Sequence, residues 1–306
     1  MNRFFLPLLA VFVLSLSARS LHAQYSNYDE IFQVSGMSFG TAELNQSKLS
    51  IDQRQWGISG GYGWDLNDRS DRLTLAASYD YLSLEHGGPI TQPLDIHQVF
   101  VGAEFLKTWK NPYWGSTISA YFGLSSDFDT LYNSSFQSAI TGMVHYGKSN
   151  DLIWSAGIFY SDQPFGPWVF PILGVDWKFS KRGYLSFFPM YRIYLEYGLK
   201  LDHLYIGLES LAEGMSFNLS EFQGQTDSYL TTFSDQFPYY PYNNTLFIDW
   251  YIKKNYVLFL KGGWTLGREF RHYTSNHDEL TTSVYNSSIS NALILQAGFA
   301  IRFRKF

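Results

Sequence analysis

The stretch NALILQAGFAIRFRKF, residues 291–306, closes the chain and alternates between two kinds of side chain. Its apolar members are Leu293, Leu295, Ala297, Phe299, Ile301 and Phe303, and its mainly small or polar members are Gln296, Gly298, Ala300, Arg302 and Arg304. Successive side chains of a β-strand point to opposite faces of the sheet. The stretch therefore predicts a strand with one apolar face and one face that carries two arginines.

Alternating segments of this kind recur along the chain, separated by turn-forming residues. We predict about 14 strands, over roughly 31–42, 53–66, 71–84, 96–107, 114–125, 136–147, 152–161, 168–179, 184–188, 191–199, 203–217, 244–252, 256–269 and 291–304. The pattern predicts an all-β fold, a transmembrane antiparallel up-and-down β-barrel. If residues 184–199 form one bent strand around Pro189 and a second segment is miscounted, the number of strands falls to 12.

The links between these segments alternate in length. The short links lie at 67–71, 107–112, 147–151, 180–183, 199–202 and 253–255, and the longer ones lie around 44–52, 85–95, 126–135, 161–167, 218–243 and 270–290. Outer-membrane barrels have short periplasmic turns and longer outer loops. An even number of strands then places both chain ends on the periplasmic side.

Composition supports export and a membrane environment. Aromatic residues make up 19% of the chain and charged residues 16%, and there is no cysteine. Residues 1–23 have the pattern of a secretory signal peptide, with Arg3 before an apolar run from Phe4 to Leu16 and cleavage expected after Ala23. Residues 24–306 are then a single outer-membrane barrel domain. Without Arg3 and Arg19 the net charge is −7, a sign that argues against nucleic-acid binding.

Tryptophans on the apolar parity lie near the predicted strand ends. They are Trp56, Trp64, Trp114, Trp154, Trp177, Trp250 and Trp264. Indole rings favour the membrane–water interface, so this placement predicts two aromatic girdles.

Charged residues of the predicted strands fall mainly on the opposite, inward parity. These candidate lumen-lining residues are Arg72, Asp80, Glu104, Asp176, Arg192, Glu196, Glu209, Glu213, Asp249, Lys261 and Arg302. A charge facing lipid would cost about 2–4 kcal/mol at the bilayer midplane. Two interpretations remain open. The charges form either a pore-lining network that selects or binds a solute, or a salt-bridged filling of the barrel.

No motif predicts a catalytic, cofactor-binding or metal site. Residues 57–61 match G-x-S-x-G, but a nucleophile elbow requires a strand-to-helix turn, and Ser59 lies within a predicted strand. His97, His272 and His277 could contribute to a lipid-modifying site formed by loops. The aromatic loop 218–243 could plug the lumen, cradle a sugar or an apolar ligand, or pack over the barrel mouth.

The stretch FFPMYRIYLEYGLKLDHLYIGLE, residues 187–209, resembles a family of uncharacterised outer-membrane barrels of Gram-negative bacteria. The matching residues are Tyr191, Arg192, Tyr194, Leu204, Tyr205, Gly207 and Glu209. The resemblance implies fold and outer-membrane location and carries no activity. In the usual terminal assembly signal, apolar residues stand at every second position back from the final Phe, where this chain has Arg304 and Arg302.

We therefore rank three functions. The first is a passive channel or uptake barrel for small molecules, without cofactor. The second is a structural or surface-binding barrel with a plugged lumen. The third is a lipid-modifying enzyme, although we expect the protein not to be an enzyme. The expected partners are membrane lipid, lipopolysaccharide, the outer-membrane assembly machinery and a small solute.

Overall fold

A computed structural model describes residues 28–43, 50–67, 71–87, 93–163, 166–189, 191–212, 216–222, 225–233, 242–274 and 287–304. Its eighteen strands are β1 (Tyr28–Glu43), β2 (Ser50–Asp65), β3 (Arg72–Gly87), β4 (Leu94–Thr108), β5 (Trp114–Ser126), β6 (Phe136–Ser149), β7 (Leu152–Gln163), β8 (Gly166–Trp177), β9 (Gly183–Phe188), β10 (Arg192–Lys200), β11 (Leu204–Ala212), β12 (Ser216–Phe222), β13 (Gln225–Phe233), β14 (Tyr242–Ile252), β15 (Tyr256–Leu266), β16 (Arg268–Thr274), β17 (Ser287–Ile289) and β18 (Leu293–Arg304). Residues 1–23, for which the sequence predicts a signal peptide, lie outside the described part of the chain.

Fourteen of these strands form the barrel wall. They are β1 to β11, β14, β15 and β18, and each pairs antiparallel with its neighbours. The last strand closes the ring, because β18 pairs with β1 from Tyr28↔Arg304 to Phe39↔Ile294. The predicted up-and-down barrel of 14 strands is confirmed, and the 12-strand count is wrong.

The alternation in sequence becomes an alternation in burial. On β18, Leu293 is 67% exposed whereas Ile294 is 1% exposed. All seven tryptophans on the predicted apolar parity are exposed on the outer surface. Exposed apolar patches on soluble monomers seldom exceed a few hundred Å². An apolar outer wall on every strand is instead what lipid requires.

Tight turns join the wall strands at one end of the barrel, here called the turn end. Lys253 and Lys254, two of the three residues between β14 and β15, have positive φ, a backbone conformation common in hairpin turns. At the opposite end, called the loop end, most links are longer. Two are short. β7 ends at Gln163 and β8 begins at Gly166, which corrects the longer link predicted at 161–167, and in the link around Pro189 the Tyr191 amide donates to the Phe188 carbonyl at 2.8 Å. Since β9 and β10 are separate paired strands, Pro189 lies in a turn.

The remaining four strands come from two loop-end connections and form a separate inner sheet in the order β12, β13, β16, β17. This corrects the sequence prediction, which treated 218–243 and 270–290 as connections and extended two wall strands to residues 217 and 269. The wall strands end at Ala212 and Leu266. Only the central pairing, β13 with β16, joins the two connections, and this long-range pairing gives no local signal in the sequence.

The inner sheet packs against the inner face of the barrel wall at the loop end. Phe217, Leu219, Leu230, Phe270 and Ile289 of the inner sheet are buried in one apolar cluster with wall residues. The wall contributes mainly inward side chains: Met37, Phe39, Ile51, Leu82, Leu84, Ile96 and Ile294. Burying these side chains together holds a loop-derived sheet inside the mouth of the barrel.

Helical structure is a minor part of the described chain. One short 3-10 helix, Asn133–Ser135, follows β5. No helix among the described residues is both long and apolar enough to cross a membrane.

Candidate functional site

The candidate site is the barrel interior, where polar and charged side chains of the wall strands are buried. A β-bulge in β1 shapes it, because the pairing register with β18 shifts between Glu30 and Phe32. An extra residue in one strand changes which side chains share a face. The bulge thereby turns both Glu30 and Gln33 toward Arg302 of β18.

Arg302 is the centre of the first charged group. Its guanidinium donates to Glu30 Oε2 at 2.7 Å and to Asp249 Oδ2 at 2.6 Å. A third donor reaches Gln33 Oε1 at 3.3 Å. The side chains of Arg302 and Asp249 are almost completely buried. A guanidinium offers five N–H donors, and this arrangement satisfies several of them without water.

The second charged group crosses the interior. Arg304 of β18 forms an ion pair with Glu196 of β10, although β11, β14 and β15 lie between these strands in the wall. Arg304 also donates to the Tyr251 hydroxyl at 3.1 Å, and Tyr194 donates to Glu196 at 2.9 Å. The guanidinium carbon of Arg304 lies 3.6 Å from the centre of the Tyr205 ring. This group therefore connects β18 and β10 directly through the barrel interior.

The third charged group has Glu209 at its centre. Arg192 lies 2.9 Å from one carboxylate oxygen of Glu209, and Lys261 pairs with the other. The strands β10, β11 and β15 supply these residues. Arg192 also stacks over the Tyr194 ring at 4.3 Å. The second and third groups therefore share Tyr194.

The other candidate residues lie apart from these groups. Arg72 pairs with Asp29 at 3.1 Å, and Gln55 donates to Asp80 at 3.3 Å. Glu104 is buried, and Asp176 accepts a 2.5 Å hydrogen bond from Tyr184. Glu213 lies outside the described residues. The candidates predicted from the sequence did not include Glu30 or the tyrosines, and Arg304 was predicted only as part of the polar face of the closing strand.

Small polar side chains line the inner face of β1 to β7. The buried ones are Ser35, Ser59, Ser78, Thr117, Ser119, Thr141 and Ser155. Within the described part of the chain, several buried polar atoms of the interior have no hydrogen-bond partner: Gln55 Oε1, Ser59 Oγ, Ser228 Oγ, Arg268 Nε and Thr274 Oγ1. Buried polar groups in folded proteins are almost always hydrogen-bonded to protein or water. Gln55 Oε1 and Ser59 Oγ, on the inner face of β2, are therefore positions where water can complete the hydrogen bonding, whereas Ser228, Arg268 and Thr274 belong to the inner sheet.

Polar contacts fix both edges of the inner sheet to the wall. At the β12 edge, Asp127 accepts hydrogen bonds from the Ser220 amide and hydroxyl, each at 2.7 Å. The Thr130 amide donates to Ser220 Oγ at 2.6 Å, and Asn218 pairs parallel with Ser126 of β5. At the other edge, the Ser290 amide donates to the Glu43 carbonyl at 2.9 Å. The sheet thus reaches from β1 to β5 across the loop end.

Two titratable side chains of the inner sheet are held in an apolar setting. Burial lowers the pKa of His272 to about 4 and that of Arg268 to about 10. Arg268 donates to Gln53 Oε1 at 2.8 Å and lies over the Phe39 ring at 5.1 Å. Both shifts indicate that the interface between inner sheet and wall is poorly solvated.

One turn-end carboxylate anchors neighbouring hairpins. Asp71 accepts hydrogen bonds from Lys107 Nζ at 2.6 Å, Asn67 Nδ2 at 2.7 Å and the Thr108 amide at 2.8 Å. These hydrogen bonds, that of Lys107 first, lower the pKa of Asp71 to about 2. The carboxylate therefore stays ionised and ties the β2–β3 turn to the end of β4.

The residues considered for lipid chemistry do not converge. Ser59 lies within β2, where the chain continues as strand. His97 lies on the outer parity, with Nδ1 2.7 Å from the Tyr79 hydroxyl, whereas His272 is buried inside the barrel mouth. His277 is outside the described residues. Among the described residues, no group of three or more His, Asp or Glu side chains could hold a metal ion.

Closed antiparallel strands, an apolar outer face and a polar interior define a transmembrane β-barrel. The chain belongs to the family described as Domain of unknown function (DUF6268), whose model matches residues 53–302. The family resemblance noted in residues 187–209 is thereby confirmed. No curated protein matches the sequence.

Solved structures with a similar strand arrangement include the COG4313 outer membrane channel from Pseudomonas putida F1, at 10% identity and a TM-score of 0.46, covering 89% of this chain and 94% of that one. The β domain of the Bordetella autotransporter BrkA is 8% identical with a TM-score of 0.33, and the match covers 88% of this chain and 98% of that one. OprB from Pseudomonas putida is 8% identical with a TM-score of 0.29, and the match covers 90% of this chain and 94% of that one.

Proposed function

We propose that the protein is a passive outer-membrane channel for small solutes, with its loop end outside the cell and its lumen narrowed by the inner sheet. An exported chain of this architecture meets lipopolysaccharide in the outer leaflet and is inserted by the outer-membrane assembly machinery. Fractionation and N-terminal sequencing of the mature protein test the location and the expected cleavage after Ala23.

The observation that carries this proposal is the presence of buried polar atoms on the inner face of the wall that have no protein partner. Within the described residues these atoms are Gln55 Oε1 and Ser59 Oγ of β2. If the interior served only to make the barrel rigid, apolar or fully hydrogen-bonded side chains would be more favourable, because a buried polar group without a hydrogen bond costs about 1–3 kcal/mol. Water inside the wall supports a path for solutes. In this proposal the candidate lumen-lining residues surround that path.

The inner sheet is the element that regulates access in this proposal. It belongs to two loops rather than to the wall, so it can shift while the barrel stays closed. The chain has no cysteine. Ser126 and Asn218 are opposite each other in the pairing of β5 and β12. Adjacent strands lie about 4.8 Å apart, which suits a disulfide.

The test is the conductance of Ser126→Cys/Asn218→Cys in planar bilayers. We expect low conductance in the oxidised protein and higher conductance after reduction, with each single-cysteine variant unaffected by reductant. Absence of conductance and of solute flux in the wild type and in both redox states of the variant would contradict the proposed channel.

The second candidate function is a structural or surface-binding barrel with a closed lumen. The observation in its favour is the dense attachment of the inner sheet, through Asp127 and Ser220 at one edge and Glu43 at the other. This function predicts that removing residues 222–240 reduces binding of cells to a surface partner without changing flux. Unchanged binding after the deletion argues against it.

A further inference from the structure

A strip of aromatic side chains runs across the inner face of β7, β8 and β9. It consists of Phe159, Trp168, Phe170 and Phe188, called here the aromatic strip. Phe159 and Phe170 are opposite each other in the strand pairing, with ring centres 4.8 Å apart. The Trp168 ring meets Phe170 edge to face at 6.2 Å. Phe188 covers Gly174, because a side chain at Gly174 would collide with its ring.

The aromatic strip differs from the other apolar surface inside the barrel. Where the inner sheet packs, inward wall residues such as Phe39, Leu84 and Ile96 are fully buried. The four rings of the strip remain partly exposed, although they share the inward parity of Ser155 and Asp176. The strip is therefore apolar surface that the inner sheet does not fully cover.

Charge is concentrated elsewhere in the interior. The three charged groups are supplied by β1, β10, β11, β14, β15 and β18. The strip lies in the wall between this sector, which begins at β10, and the small inward residues of β5 to β7. Aromatic pairs favour tilted or edge-to-face packing over simple apolar contact. A ligand that carries an aromatic ring is thus the one that packs best against the rings of the strip.

We propose that the aromatic strip binds small aromatic solutes in transit, so that the proposed channel favours solutes with a ring. The inference rests on the proposed function and names its substrate class. Ring packing supplies the preference, while the hydrated polar wall accommodates the polar part of the solute.

Binding can be tested without flux. Eight of the nine tryptophans are exposed, seven on the outer face of the wall and Trp109 at the turn end, so vesicles of dibrominated phosphatidylcholine quench most of their emission. The contribution of Trp168 is the difference between wild type and Trp168→Phe. We expect 4-nitrophenylalanine to quench this difference signal, and phenylalanine, but not leucine, to restore it by competition. Absence of quenching, or equal competition by leucine, overturns the inference whether or not the protein conducts.

Flux gives the second measurement. Phenylalanine and leucine have the same charges and differ in the ring. In liposome swelling we expect phenylalanine to enter roughly 2- to 10-fold faster than leucine, the range that a single aromatic pair provides. The preference should vanish in Phe159→Leu/Phe170→Leu and persist in Tyr197→Leu, whose ring lies on the outer surface. Swelling by both solutes at equal rates overturns the inference and leaves the channel standing, whereas failure of the channel appears as no swelling with either.

Discussion

Arg302 shows how a single side chain can hold three strands together inside a membrane barrel. It bonds Glu30 of β1 and Asp249 of β14 from its own place on β18, and it is almost completely buried. The charges in this group are compensated only while the guanidinium is present. Removing one partner of a buried ion pair costs far more than removing one partner of an exposed pair.

Replacing Arg302 is therefore expected to destabilise the barrel strongly. Arg302→Ala leaves Glu30 and Asp249 buried near each other, and we expect the free energy of unfolding to fall by about 3–5 kcal/mol. The measurement is urea-induced unfolding in lipid vesicles followed by tryptophan emission. The matched control is Arg54→Ala, which removes an exposed pair with Glu85 at 3.6 Å and should cost about 0–1 kcal/mol. If both variants lost the same free energy of unfolding, the buried ion pairs of Arg302 would contribute no more to stability than the exposed pair of Arg54.

At the scale of the element, glycines on the inward parity make room for rings on the neighbouring strand. A Cβ on Gly298 of β18 would meet the Val34 carbonyl oxygen and the Phe259 ring. A Cβ on Gly262 of β15, on the outward parity, has no atom within 4 Å. The same substitution thus has opposite steric consequences on the two faces of the wall.

We expect Gly298→Ala to destabilise the barrel by about 1–3 kcal/mol through overpacking. Gly262→Ala should be neutral, or stabilising by up to about 1 kcal/mol, because alanine restricts the unfolded chain. Both variants can be compared by the temperature at which the folded band disappears in semi-native electrophoresis. A Gly298→Ala protein as heat-resistant as Gly262→Ala would show that the Phe259 ring moves aside freely.

Sequence reasoning succeeds for the wall elements because each wall strand carries its own signal. Each wall strand has lipid on one face and a polar interior on the other, so its sequence alternates with a period of two residues. This alternation located all fourteen wall segments. The inner sheet gives no such signal, since β13 pairs with β16 about forty residues away and β17 has three residues. Glu30 was missed because the first segment was predicted to begin at residue 31, whereas β1 begins at Tyr28 and contains a bulge just after Glu30.

At the scale of the whole molecule, the wall separates two solvents, and the parity of a position decides which one a new charge meets. Val101 lies in the middle of β4 with its side chain 41% exposed on the outside. Gln55 lies on the inside of β2 and donates to Asp80. The two positions differ in environment, not in secondary structure.

We expect Val101→Arg to lower the free energy of folding into vesicles by about 2–4 kcal/mol, the cost of an arginine facing lipid near the midplane. Gln55→Arg should cost much less, because Asp80 offers a counter-charge and the interior is polar. Folding yields in vesicles across a urea series provide both values. A larger loss for Gln55→Arg than for Val101→Arg would reverse the inside–outside assignment.

The candidate site was only partly accessible to sequence reasoning, because parity identifies which charges turn inward but not which of them meet. Arg304 and Glu196 are 108 positions apart, and their strands are not neighbours in the wall. Their contact follows from ring closure and strand tilt. Both arise from the assembled barrel rather than from any one segment.

The ion pair between Arg302 and Glu30 has a consequence for the order in which the barrel is made. The two residues are 272 positions apart and lie on the strands that meet at the seam. Glu30 is synthesised first, and it remains hydrated until nearly the entire chain is present. Contacts between such distant positions form late, because the loop-closure entropy is lost before they can compensate for it. We therefore expect the seam to close last: in a chain truncated before Arg302, Glu30 lacks its partner and the ring of strands stays open.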